Sequence, residues 1–214
     1  MTSLVSTADE NKHGALRRSV AKAFTPNAAL GYEVHVDKTI PELIEALDQH
    51  QNVDMTEMLL FYSMDAASRV LFGEPLGCLR TQSDVGGTIE LIRNRFDHWG
   101  NWSSLPDLER LVFRNPLSMR AERTPSSMAA NAVSKLQSRT AKGGEQEHVD
   151  LLQRFLEAHE ESPDVIDKTG VVGLLMSTIS GGMYGFKFYS SLVKQRFVIN
   201  SNLLVVRLLV SKQS

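Results

Sequence analysis

One cysteine, no acidic residue after position 182 and no apolar run of membrane-spanning length mark this 214-residue chain by what it lacks. The lone Cys78 excludes an intramolecular disulfide and any metal site built from several thiolates. A spanning helix needs roughly 20 consecutive apolar residues. The longest candidate near the end, "NLLVVRLLV", is shorter and is interrupted by Arg207. The opening "MTSLVSTADENKHGALRR" lacks the charged-then-apolar layout of a secretory signal. A net charge of −2 and a pI near 6.3 give no overall attraction to nucleic acid or to an acidic membrane face. His35, His50, His98, His148 and His159 show no zinc-site spacing and are expected at the surface. No P-loop, dinucleotide G-x-G-x-x-G or G-x-S-x-G elbow occurs, and no strand precedes the superficially similar "SGGMYG".

What is present is unevenly distributed. All 25 acidic residues lie in residues 1–182, with 18 basic ones, for a net charge of −7. Residues 183–214 carry Lys187, Lys194, Arg196, Arg207 and Lys212 against no acid, for +5. The tail reads either as a basic interaction arm or as sequence that never evolved as protein.

The body reads as all-α. Residues 10–24 suit a helix with Leu16, Val20, Ala23 and Phe24 on one face. Residues 29–48 repeat apolar side chains at helical spacing, with Pro41 kinking the run or starting a second piece. Asp54 or Thr56 caps an apolar helix that Gly73 and Pro75 close. A helix follows Ser83, then a loop with a helical turn or two, then a polar helix over 117–141 and a linker "KGGEQE". Val149, Leu152, Phe155 and Leu156 form the apolar face of another helix, and Ser162-Pro163-Asp164 starts a last one, apolar up to Gly182.

Two groups invite a functional reading. His13 and Arg17 in "HGALRR" lie four apart, so both meet on one helix face, where the Arg has forked donors for a carboxylate or phosphate. With Arg18 and Lys22 they also make an ordinary solvated basic patch. Trp99 and Trp102 in "FDHWGNW" could line an apolar pocket or simply pack a helix end.

Three stretches, in order, resemble one family: "DENKHGALRRSVAKAFTP", "VDMTEMLLFYSMDAASRVLFGEPLG" and "HVDLLQRFLEAHEESPDVIDKTGVVGLLMSTISGG". Together they resemble the middle of a fungal cytochrome P-450 monooxygenase, with enzymes of the pisatin demethylase type among the relatives. The resemblance implies a partial cytochrome P-450 helical core over residues 1–182, with an unrelated tail over 183–214. It implies haem as the family's cofactor, with Arg17 and His13 pairing the haem propionates. It also implies oxidation of a small apolar molecule in fungal secondary metabolism, with electrons from a reductase partner on the endoplasmic reticulum membrane.

The same resemblance shows what this sequence does not supply. The family's haem ligand stands in Phe-x-x-Gly-x-x-x-Cys-x-Gly. Aligned on Cys78, the chain has Leu71, Glu74 and Arg80 where the motif needs Phe, Gly and Gly. Cys78 also precedes the long helix, whereas the family's ligand follows it. The only Glu-x-x-Arg match, Glu90 to Arg93, lies upstream of that helix too and reads as chance. After "ISGG" the family continues with an acid and threonines that hand protons to bound dioxygen; here "MYGFKF" stands instead. Gly182-Met183-Tyr184 is encodable as GGT ATG TAT, which contains GTATGT, a fungal intron start, so residues 183–214 read as translated intron. The expectation is therefore a chain truncated within the long helix, catalytically inactive, binding no haem, and cytoplasmic if it accumulates. Two rivals remain: a longer working monooxygenase with a wrong gene model, and a helical interaction protein using the basic tail or an exposed groove.

Overall fold

The structure, a computed structural model, describes residues 4, 7–49, 54–113, 127–142 and 149–196, the stretch from 183 as backbone only. Among these residues every regular element is helical and no strand occurs. The part of the tail beyond Arg196, residues 114–126 with the first ten of the helix expected over 117–141, and the "KGGEQE" linker after Lys142 lie outside the described residues.

Helix α1 (Glu10–Val20) starts where the Asp9 carboxylate accepts from Asn11 N at 3.0 Å and Lys12 N at 3.1 Å. A 3-10 turn (Ala21–Phe24) follows. The Thr25 hydroxyl caps α2 (Pro26–Asp37) by accepting from Ala28 N at 3.3 Å. A break at Lys38 and Thr39 separates α2 from α3 (Ile40–Asp48), so Pro41 sits in the first turn of a new helix and kinks nothing. Helix α4 (Met55–Phe72) is capped by Asp54 and stopped by Gly73 at φ 78°, a left-handed position that costs glycine nothing. Short α5 (Cys78–Thr81) and a 3-10 turn (Val85–Gly87) lead to α6 (Thr88–Trp102) and α7 (Pro106–Phe113). Then come α8 (Ser127–Lys142), α9 (Leu151–Glu161) and α10 (Lys168–Arg196).

The core is built around α4 and α10, the most extensively packed pair of helices. Buried positions of α4 recur at helical spacing: Met58, Phe61, Met64, Asp65, Ser68, Leu71 and Phe72. From α10 come Val171, Val172, Leu174, Leu175 and Ile179. Each such aliphatic side chain contributes about 1.5–3 kcal/mol on burial. The two helices pass closely where Gly182 faces Ala67; a Cβ on Gly182 would lie 3.5 Å from the Ala67 Cβ. Helix α9 packs on both α4 and α10 and also on α1, while α2, α3 and α5 pack on α4 and α8 packs on α10.

Four sequence expectations change. Phe24 and Leu30, placed on apolar faces by periodicity, are 53% and 67% exposed. His35, expected at the surface, is buried in its place beside Thr39. The last helix begins at Lys168 and not at Asp164. Residues 162–166 form a turn on the Ser162 carbonyl, and the Asp167 carboxylate accepts from Gly170 N at 2.7 Å. The helix also runs through Gly182 to Arg196 in its backbone.

Two buried carboxylates tie these elements together. Asp65, fully buried in the middle of α4, accepts from the backbone N–H groups of Gly77, Cys78 and Leu79 at 2.7, 3.1 and 2.9 Å. Gly77 meets it at φ 93°, where a side chain would be strained. Asp150, also fully buried, caps α9 through Gln153 N at 2.8 Å and receives Arg139 Nη2 of α8 at 2.7 Å. Arg139 reaches the Phe72 carbonyl as well, at 3.4 Å, so α4, α8 and α9 meet at one charge pair.

Removing Asp65 leaves three buried donors unsatisfied. Asp65→Ala is expected to lower the unfolding free energy by about 3–5 kcal/mol in urea denaturation followed by circular dichroism. Asp65→Asn should cost less, since an amide oxygen still accepts.

Candidate functional site

The basic pair lies on α1. Leu16 and Val20 form its buried stripe, which places the helix against α9. One turn to the side stand His13, half-buried, and Arg17, exposed. Neither side chain makes a hydrogen bond or ion pair with another described residue. Arg18 is exposed as well, and Lys22 pairs with Glu161 of α9 at 2.7 Å, both so exposed that the pair adds little to stability. The structure thus keeps His13 and Arg17 together on one face, with donor groups turned to solvent and available to an anion.

Cys78 is placed very differently. It is fully buried at the start of α5, its own N–H held by Asp65. Burial pushes its thiol from 9.0 up to about 11; a backbone hydrogen bond from Val85 works the other way, and the carboxylates of Asp65 and Asp84 add to the rise. A thiol used as a metal ligand needs the opposite setting, an electropositive one that favours the thiolate. Among the described residues no group of three or more His, Cys, Asp or Glu is placed to hold a metal ion. Between α4, α6, α8 and α10 a void of about 10 Å³, lined by Phe72, Leu76, Thr88, Asn131 and Ile179 among others, holds about one water.

The tryptophans pack a helix end. Trp102 meets Phe113 of α7 edge-on at 5.0 Å, and Trp99 meets Phe96 at 5.3 Å with the Arg95 guanidinium 5.0 Å over its ring. Glu90 and Arg93 lie on α6, both exposed. Sequence reasoning missed Asp65, Asp150 and Arg139, the residues that fix the geometry. A single acid inside the apolar run "FYSMDAASRVLF" was the available signal.

Comparison with known proteins gives this helical arrangement its place. The cytochrome P-450 family profile matches residues 1–184. The chain belongs to the cytochrome P-450 family. It is 25% identical over 181 residues to a cytochrome P-450 monooxygenase of Sarocladium schorii, covering 77% of this chain and 35% of that one. A cytochrome P-450 monooxygenase of Aspergillus fumigatus is 24% identical over 165 residues, 77% of this chain and 45% of its own. A pisatin demethylase of Fusarium vanettenii is 34% identical over 80 residues, 36% of this chain and 16% of that protein. The matched part thus spans less than half the length of each of these relatives.

Cytochrome P-450 proteins hold haem iron through a cysteine thiolate. The α1 pair has the donor chemistry for haem carboxylates, but the single thiol of this chain is a core group with a raised pKa. The described residues therefore do not fit the iron. No helix among them is long and apolar enough to cross a membrane.

The raised thiol sets a pH dependence. The folded chain keeps the Cys78 proton up to about pH 11, while an unfolded thiol releases it near 9.0, so the native state binds more protons between those values. Stability contributed this way is complete below the lower value and is lost as pH rises through the window. Unfolding free energy is expected to fall by about 1.4 kcal/mol between about pH 8 and about pH 10 from this group. Cys78→Ala should remove that part. The burial-raised Tyr32 and Tyr62 add a further decline at still higher pH in both proteins.

Proposed function

We propose that residues 1–182 are part of the helical core of a haem-thiolate monooxygenase, and that this 214-residue chain does not by itself carry out oxygen insertion. The observation that carries the reading is the state of Cys78: a protonated core thiol, held at its backbone by Asp65, in a chain with no other cysteine. The end of the family profile match at residue 184 supports taking the tail beyond it, within the proposed 183–214 segment, as sequence outside the family domain.

In the longer enzyme, Arg17 and His13 are the residues assigned to the haem carboxylates. Their support is chemical: one face of α1 presents a forked, permanently charged guanidinium and an imidazole with no competing partner among the described residues. The substrate class is a small apolar molecule of fungal secondary metabolism, and electrons come from a reductase partner. A relative named for demethylating pisatin supports an organic small molecule as the substrate.

The test is spectroscopic. The purified chain is mixed with haemin, reduced and exposed to carbon monoxide. The reading expects no Soret band characteristic of thiolate-ligated carbonyl haem, and the same spectrum from Cys78→Ala. A thiolate-type band that disappears in Cys78→Ala overturns it.

A further inference from the structure

Helix α8 meets the core along two rows at helical spacing. Ala132 and Leu136, four apart, are its buried apolar pair. Beside them Asn131, Lys135 and Arg139, again four apart and all half-buried, form a polar row on the edge of that contact. Two members of the row find protein partners. Lys135 Nζ pairs with the Glu74 carboxylate, and Arg139 Nη2 reaches the Phe72 carbonyl at 3.4 Å and Asp150 at 2.7 Å. The Asn131 amide, by contrast, makes no hydrogen bond with another described residue.

Asn131 instead lines the void of about 10 Å³ between α4, α6, α8 and α10. Phe72, Leu76, Leu175 and Ile179 supply apolar walls, and Thr88 is the second polar side chain of the lining. Thr88 is buried at the first position of α6, next to the Val85–Gly87 turn on which α8 packs. Its Oγ1 donates to the Val85 carbonyl at 3.1 Å, which leaves the lone pairs of the oxygen to accept. The Asn131 amide carries two donors and an acceptor. Size and lining together decide the occupant. A volume of about 10 Å³ admits one water and no organic molecule. Walled by hydrocarbon alone, such a void stays dry; with two or more hydrogen-bonding groups it holds its water.

We propose that this void binds one structural water, which donates to Thr88 Oγ1 and accepts from Asn131 Nδ2. The bridge gives the third member of the polar row the partner that Lys135 and Arg139 obtain from protein groups. It also joins α8 to the first residue of α6. A half-buried amide without any partner would be destabilising, so the water is part of the packing of α8 and not an ornament on it.

The test is magnetic resonance on the full, nitrogen-labelled chain, reading cross-relaxation with water at the Asn131 side-chain amide. A water held in place gives laboratory-frame and rotating-frame Overhauser peaks of opposite sign. Proton exchange gives equal signs, and mobile surface water gives only weak peaks. Opposite-sign peaks are expected in the unmodified chain, with their loss in Thr88→Val and their retention in Thr88→Ser, each variant keeping its far-ultraviolet circular dichroism. An unmodified chain without such peaks at Asn131 overturns the proposal, whatever the variants do. So does their persistence in Thr88→Val while its helical signal is intact.

Discussion

A carboxylate buried in the middle of an apolar helix can persist only if the fold supplies donors for it. Asp65 obtains three, all from the backbone of one corner, at 2.7–3.1 Å. The arrangement works in both directions. The corner at Gly77 needs an acceptor for the free N–H groups that open α5, and α4 needs a reason to hold a charge among Phe61, Met64 and Leu71. Everything downstream inherits that fixed point: the entry to α5, the path through Val85–Gly87 into α6, and the depth at which Cys78 sits. The second buried carboxylate, Asp150, plays the same part on the other flank, joining α9 to Arg139 and to the end of α4.

The chemistry of the chain follows from the depth of Cys78. An axial sulfur for haem iron must be a thiolate with space beside it. Here the sulfur is enclosed, and burial favours its proton. Arg17 and His13, by contrast, stand at the edge of the buried stripe of α1 with their donors free of other described partners. Membership of the cytochrome P-450 family and the lack of an iron-binding thiolate in this stretch are thus compatible: the matched part covers only a fraction of each relative's length.

Much of the helical plan was legible in the sequence where punctuation was local. Asp54 and the Gly73-Glu74-Pro75 stop bounded α4, because capping and left-handed termination depend on neighbouring residues alone. Periodicity found Leu16 and Val20 of α1 and Leu152 and Phe155 of α9 for the same reason, but Val149, placed on the α9 face, precedes that helix and is 41% exposed, and Leu151 and Ala158 complete its buried stripe. It misjudged Phe24 and Leu30, since helical spacing says which residues share a face but not whether a partner covers it. His35 went the other way, buried by packing that no local pattern announces. The start of α10 moved to Lys168 because Asp167 offers both a side-chain cap and a bond to Thr169, a competition between two acids that sequence does not decide. At the candidate site, the basic pair could be read from spacing. The Asp65 contact with Gly77–Leu79 could not, because it joins residues 12 to 14 positions apart through backbone groups that carry no sequence signature.

The most direct measurement of the central claim is native-state thiol exchange at Cys78. The full chain is exposed to a small thiol reagent at a series of low urea concentrations, and the free energy of exposing the sulfur is compared with that of global unfolding. The account predicts that the two coincide, because Cys78 is released only when the α4–α5 corner comes apart. A Cys78 that reacts in the native chain as fast as a free thiol would contradict it.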